Sequence, residues 1–295
     1  MLKQRVITAI VLLLILLASY WAGPVAFCAV MAIAFFLAQW EWLRLAGIQS
    51  WVAGVVAAIL GLTVCSSVYV MYAEITGGQI ETAFYNQVAG LFILYVGIVS
   101  LLWIGIAIRV FFSRFGGMKV APVIVSVTAV FFAPAAWLSF VSMYSAFGIS
   151  MILSLLMIVW IADIMAYFTG RAFGKHRLAP AISPNKSWEG VAGGMVSVIV
   201  LGLLAGWFLP QYHTVPGVLM NSFGALGWVL GGFILVSLSI VGDLFESALK
   251  RQVGVKDSSN LLPGHGGFYD RMDAMMPTLP AGLVMTVMVA SGYLG

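Results

Sequence analysis

The sequence predicts an all-α, polytopic integral membrane protein of about nine transmembrane helices, with its N-terminus cytoplasmic. Three observations lead there. Of 295 residues, 62% are hydrophobic and only 8% charged, whereas a soluble domain carries about a quarter charged residues. Apolar runs recur from end to end, each long enough to cross a bilayer, and a membrane β-barrel would show short alternating segments instead. The cationic residues, finally, fall into every second connection.

The runs lie at about 6–22, 25–43, 51–73, 88–108, 120–141, 149–169, 189–209, 223–248 and 276–294. The first follows Lys3 and Arg5 and has the charge pattern of a signal peptide. It lacks an A-x-A cleavage site, and the second run begins almost at once after Gly23 and Pro24, so it reads as a retained helix. Trp40 and Trp42 read as an interfacial aromatic belt. Cys28 and Cys65 sit in separate runs without metal-ligand spacing and read as small apolar packers, not as a disulfide. Residues 74–87 form the first sizeable polar loop, with Glu74 and Glu81 but no Lys or Arg.

With nine spans, all fourteen Lys and Arg residues fall on one side. Lys3 and Arg5 precede the first span, and Arg44 follows the second. Arg109, Arg114 and Lys119 follow the fourth; Arg171, Lys175, Arg177 and Lys186 follow the sixth. Lys250, Arg251, Lys256 and Arg271 follow the eighth. The positive-inside rule makes that side cytoplasmic. The chain then divides into an N-terminal scaffold, 1–145, and a functional half, 146–295, with cytoplasmic loops at 171–187 and 249–276. The net charge of +4 is modest, and no nucleic-acid partner is expected.

Chemistry-bearing residues concentrate in the second half. Asp163 lies deep in the sixth span, where an ionisable group is costly and normally faces the bundle interior or a wet cavity; a structural carboxylate is the alternative. Asp243 and Glu246 share one helical face at the end of the eighth span. Glu246 and Lys250 could be only a stabilising i,i+4 pair. Gly242 would let a backbone or a ligand approach. Asp270 and Asp273 are also three apart, so their repulsion should raise one pKa. A divalent cation would relieve it, and hard oxygen ligands beside phosphate suit Mg²⁺. The alternative is a solvated helix cap neutralised by Arg271. Gly264, Gly266 and Gly267 surround His265 and permit a turn whose N–H groups converge on an anion, although an ordinary turn would need no more. His265 itself could contact phosphate or transfer a proton. Lys250, Arg251, Lys256 and Arg271 are either topology markers that favour anionic lipid heads or the holders of two polyanions. Asn185, Lys186, Ser187 and Glu189 cluster at the start of the seventh helix, a natural phosphate seat, with Ser187 or Asn185 as its N-cap. The glycine pair Gly170 and Gly174, followed by Lys175 and His176, is one residue too short for a phosphate loop of the Walker type.

These residues support metal-assisted phosphoryl or nucleotidyl transfer on an amphiphile at a cytoplasm-facing site. Two other classes use similar parts: a membrane kinase of a lipid alcohol, and an ion-coupled transporter with Asp163 and Asp243 on its path.

The second long loop narrows the choice. Ser247, Lys250, Arg251, Lys256, Asp257, Ser259, His265, Gly266, Gly267, Asp270, Arg271 and Asp273 stand in register with the signature that ends in His-Gly-Gly, apolar, x, Asp-Arg, apolar, Asp. In this the chain closely resembles the phosphatidate cytidylyltransferase (CDP-diacylglycerol synthase) family. Pro184 to Gly190 resembles that family's Pro-x-Lys-Ser/Thr-x-Glu/Gln-Gly element, and Asp163 matches an aspartate of its preceding span. The resemblance covers about the last 110–130 residues in motif and the whole chain in span pattern. It implies that CTP and phosphatidic acid give CDP-diacylglycerol and diphosphate; the short, compact chain suits a bacterial inner membrane. It also implies Mg²⁺ at Asp243, Asp270 and Asp273, with Asp163 as a further ligand and a second cation left open. Lys250, His265 and Arg271 join those aspartates as catalytic candidates. Asn185, Lys186, Ser187, Glu189, Arg251, Lys256, Asp257, Gly266 and Gly267 become substrate contacts. A homodimer is what the family suggests.

Overall fold

The computed structural model describes residues 2–57, 61 and 82–290. Helices α1 (Leu2–Ala22) and α2 (Pro24–Leu45) are joined at Gly23, whose φ of 115° turns the chain before Pro24 starts α2. Proline suits a first helical position because the N–H it lacks would have no partner there. Residues 50–57 are helical. The order continues with α3 (Thr82–Ser113), α4 (Pro122–Phe147) and α5 (Ile149–Phe173). Two short strands follow, β1 (Arg177–Ala179) and β2 (Ser183–Ser187). Then come α6 (Trp188–Phe208), α7 (Val215–Gln252), the single turn α8 (Tyr269–Met272) and α9 (Met275–Ala290).

Among the described residues, seven helices are long and apolar enough to cross a membrane: Gln4–Ala22, Pro24–Leu45, Gly90–Ser113, Pro122–Phe147, Ile149–Phe173, Trp188–Phe208 and Val215–Gln252. The expected third span lies largely outside the described residues, as do Cys65, Glu74, Glu81 and the end of the ninth span. The described part of the ninth, α9, has 16 residues.

Several expected edges move. Helices α3 and α5 run past the apolar stretch to Ser113 and Phe173, because backbone hydrogen bonding continues where hydropathy fades. Helix α7 begins eight residues before the expected 223, and it breaks at Gly224, whose φ is 66°. Within the expected 171–187 loop, β1 and β2 pair antiparallel, Arg177 opposite Ser187 and Ala179 opposite Ser183. This hairpin is a local departure from an all-α chain.

Trp42 is not part of an interfacial belt. It is fully buried and stacks on Tyr269, with ring centroids 4.7 Å apart and planes at 15°. Phe245 meets it edge-on at 5.8 Å and meets Trp103 at 5.7 Å; Phe132 packs on Trp103 at 5.0 Å. These five rings tie α2, α3, α4, α7 and α8 into one aromatic core, and large aromatic rings bury more area than any aliphatic side chain. Cys28 is buried in the core, as an apolar packer would be. The aromatic core lies beneath the 253–273 segment and gives it a rigid floor.

Candidate active site

The site is built where the ends of α5, β2 and α7 meet the segment leading into α9. Ser187 caps α6: its side chain accepts the Gly190 N–H, and the cap fixes β2 just before it. Lys186, on β2, reaches across to donate to Asp243 Oδ2 on α7. Ser247, one turn further along α7, donates to Asp243 Oδ1 at 3.3 Å. Gly242 then brings in the third component. A Cβ on Gly242 would lie 2.4 Å from the Asp273 carbonyl oxygen and 3.0 Å from the Pro277 ring. Only a residue without a side chain lets α7 touch the start of α9 here, and that contact sets Asp273 beside Asp243.

Electrostatics couple these groups. Burial opposes charge on Lys186, but Asp243, then Asp163 and Asp273, outweigh it and hold the ammonium above its ordinary pKa. Asp273 is shifted upward too, but toward its neutral form. Burial first, then the Asp243 and Asp163 charges, raise it well above the usual carboxylate range. The two carboxylates Asp243 and Asp273 therefore compete for one cation, Lys186, with Asp163 on the exposed face of α5 adding to the same negative field.

A second group lies beside the first. Lys250 Nζ sits 2.5 Å from Glu246 Oε2 and 2.6 Å from Asp270 Oδ1. Asp270 Oδ2 accepts the Ser258 N–H at 2.9 Å and the Gly267 N–H at 2.7 Å. Burial would raise Asp270, but hydrogen bonding with Glu246 and Lys250 and from the Gly267 N–H outweighs it and sets the carboxyl at about 2. Both Asp270 oxygens are thus committed within the protein. Among the described residues, no three His, Cys, Asp or Glu side chains converge as a ready-made metal cage. Mg²⁺, however, is usually held by one or two carboxylates together with substrate phosphates. Asp243 and Asp273, hard oxygen donors close enough to repel each other's charge, fit that requirement.

The remaining candidates separate. Arg271 donates to the backbone oxygen of His265 through Nε and Nη2, at 3.1 and 2.7 Å, so it shapes the glycine turn through the main chain. Arg251 is exposed on the last turn of α7, Lys256 and Asp257 are exposed on the 253–268 loop, and Asn185 is exposed on the hairpin. Glu189 pairs with His176, Oε1 to Nδ1 at 2.6 Å, and accepts the His176 N–H; it ties the hairpin to α6. Gly266, with φ of 84°, makes the turn above Asp270.

Sequence reasoning passed over Glu41. It is fully buried near the end of α2. Its Oε1 accepts from Ser259 Oγ at 2.6 Å and the Phe268 N–H at 3.2 Å. Its Oε2 accepts the Tyr269 N–H at 2.8 Å, and Ser258 Oγ lies 2.8 Å from it. The signal was present in the sequence: an acid inside an apolar span, the same cue that singles out Asp163.

Comparison with known proteins gives the family. The sequence profile described as the cytidylyltransferase family matches residues 3–289. A phosphatidate cytidylyltransferase of Haemophilus influenzae is 33% identical, over 95% of this chain and 96% of its own length. One of Pseudomonas aeruginosa is 36% identical over 95% of each chain. One of Thermotoga maritima is 37% identical over 50% of this chain and 52% of its own.

Proposed function

The chain belongs to the cytidylyltransferase family, and from that premise we propose that it condenses CTP with phosphatidic acid to give CDP-diacylglycerol and diphosphate. The observation that carries the reading is the meeting of Lys186, Asp243 and Asp273 at helix ends, next to Lys250 and Asp270. An oxygen of the lipid phosphate forms a new bond to the α-phosphorus of CTP. The bond from that phosphorus to the bridging oxygen breaks, and diphosphate leaves with the electron pair. The nucleophile is already ionised near neutral pH, so the site needs no strong general base. It needs positioning and charge compensation.

Those are what the residues offer. Lys186 and Lys250 stand inside the site as fixed cations, each held by carboxylates so that its charge is aimed rather than free. Arg251, on the last turn of α7, and Lys256, on the loop after it, are exposed and suit the triphosphate of an arriving nucleotide. Asp243 and Asp273 would hold a divalent cation, with Asp163 close enough to add to its field. Such an ion supplies neutralisation of the phosphate and leaving-group charge. Asp270 serves Lys250 and the glycine turn. The site lies at the ends of apolar helices, so acyl chains stay in the bilayer while the phosphate reaches it. We place these loops on the cytoplasmic side of a bacterial inner membrane, where the inside-positive cations put them.

The test is direct. Purified protein given labelled CTP and phosphatidic acid should form CDP-lipid and diphosphate in equal amounts. Asp273→Asn should fold yet lose turnover by at least ~100-fold, the scale expected when charge compensation is removed from a transition state. Near-normal release of diphosphate by that variant would end the assignment.

A further inference from the structure

We propose that Glu41 is a positioning residue for this reaction: a carboxylate from the N-terminal half that clamps the 257–273 segment in its working shape. The inference rests on the cytidylyltransfer reading for its kinetic part only. Four donors on that segment converge on Glu41, two hydroxyls and two backbone N–H groups. Each carboxylate oxygen takes one hydroxyl and one N–H. A fully buried carboxylate is costly unless every lone pair finds such a donor, and here the donors come from residues more than two hundred positions away.

The clamp is linked to the reacting groups by one atom. Ser258 Oγ lies 2.8 Å from Glu41 Oε2 and 2.9 Å from Asp270 Oδ2, and Asp270 in turn holds Lys250. The geometry leaves no slack. A Cβ on Gly267 would stand 2.2 Å from Ser258 Oγ and 2.3 Å from Glu41 Oε2. The packing below is equally tight, since Trp42 stacks on Tyr269, the residue whose N–H Glu41 accepts. Glu41 and Trp42 thus grip the same short turn from adjacent positions. Glu41 touches none of the groups proposed to bind phosphate; it acts through Ser258, Ser259 and the turn at Phe268 and Tyr269.

This pattern makes glutamine a poor substitute despite its equal size. Whichever way the amide turns, its NH₂ faces a backbone N–H, because each oxygen of Glu41 accepts one. Glu41→Gln, in full-length protein in detergent, should lower kcat on the order of 100-fold, the cost of misplacing reacting groups by about 1 Å. The KM for CTP should move far less, because the exposed cations are untouched. Trypsin should cut after Arg251 and Lys256 much faster than in the parent. Ser258→Ala with Ser259→Ala loosens the clamp from the loop side without altering α2 and should reproduce both effects. Adding Glu41→Gln to that pair should cost little more. The clamp is overturned if either folded variant keeps the parent's kcat and trypsin resistance, or if the losses simply multiply. Should the parent make no CDP-lipid, the reaction assignment fails, while the trypsin comparison still decides the clamp.

Discussion

At the residue scale, the two aspartates three positions apart in the last loop have opposite fates, and their surroundings explain why. Asp273 is buried close to the charges of Asp243 and Asp163, so burial and like charge raise it. Asp270 hydrogen-bonds with Glu246, Lys250 and the Gly267 N–H, which together outweigh its burial, so it ends at about 2, against an ordinary value of 3.8. The side chain is only 5% exposed, so solvent screens this little. A carboxyl whose pKa is depressed on folding stabilises the fold above its unfolded value and loses that contribution as pH falls through its folded value. The stabilisation from Asp270 is on the order of 2 kcal/mol, fully present above about pH 4 and gone below about pH 2. The thermal midpoint in detergent should therefore drop across that window, and Asp270→Asn should show a smaller drop. An equal drop in both would show that Asp270 is not the group responsible. The sequence announced this pair as a repelling couple. It could not show that Lys250 pairs with Asp270 while Lys186 pairs with Asp243 and not with Asp273, because the lysines come from α7 and β2.

At the element scale, the site depends on how closely α7 and α9 approach, and Gly242 decides that. The sequence marked Gly242 as a place where something could come close; the structure shows that the visitor is the Asp273 backbone. Gly242→Ala would drive a methyl group into a carbonyl and a proline ring. Overpacking of this kind costs about 1–3 kcal/mol, so the melting point should fall by several degrees. Turnover should fall with it, since Asp243 and Asp273 would part; an alanine variant with unchanged melting and rate would mean that the contact is not rigid. Most helices were legible because the apolar runs are long. Their ends were not, because a helix stops where its hydrogen bonds stop, as at Gly174 and Val253, and not where its hydropathy falls. The β1–β2 hairpin was illegible for another reason: its strands are short and stabilised by Glu189 on α6 and by the reach of Lys186 to Asp243 on α7 rather than by an alternating pattern of their own. The functional loop was readable from its motif, but Glu41, which accepts four hydrogen bonds from it, lies in the half that reads as scaffold.

At the scale of the whole molecule, four long-range ties bear on the sorting of the cations. Arg5 Nε donates to the Gly264 oxygen at 2.9 Å, and Thr8 Oγ1 to the Pro263 oxygen at 2.9 Å. Gln252 exchanges hydrogen bonds with both backbone groups of Val120. The Ala181 N–H donates to the Arg114 oxygen at 3.1 Å. The start of α1, the end of α3, the β1–β2 hairpin and the end of α7 are therefore all at one end of the bundle, where inside-positive sorting requires them. Charge and contact are independent reasons for the same arrangement: one comes from the energetics of insertion, the other from packing after it. Single cysteines test it in a chain whose own cysteines are replaced by alanine. Lys119→Cys and Lys256→Cys are both at exposed positions of this end, and Gln211→Cys is exposed between α6 and α7. In inverted membrane vesicles, a maleimide that cannot cross lipid should label the first two and spare the third; in vesicles of native orientation the pattern should reverse. Labelling of Lys119→Cys and Lys256→Cys from opposite sides would break the arrangement. It would also separate the basic loops from one another, so that no single face could gather a nucleotide and a lipid phosphate.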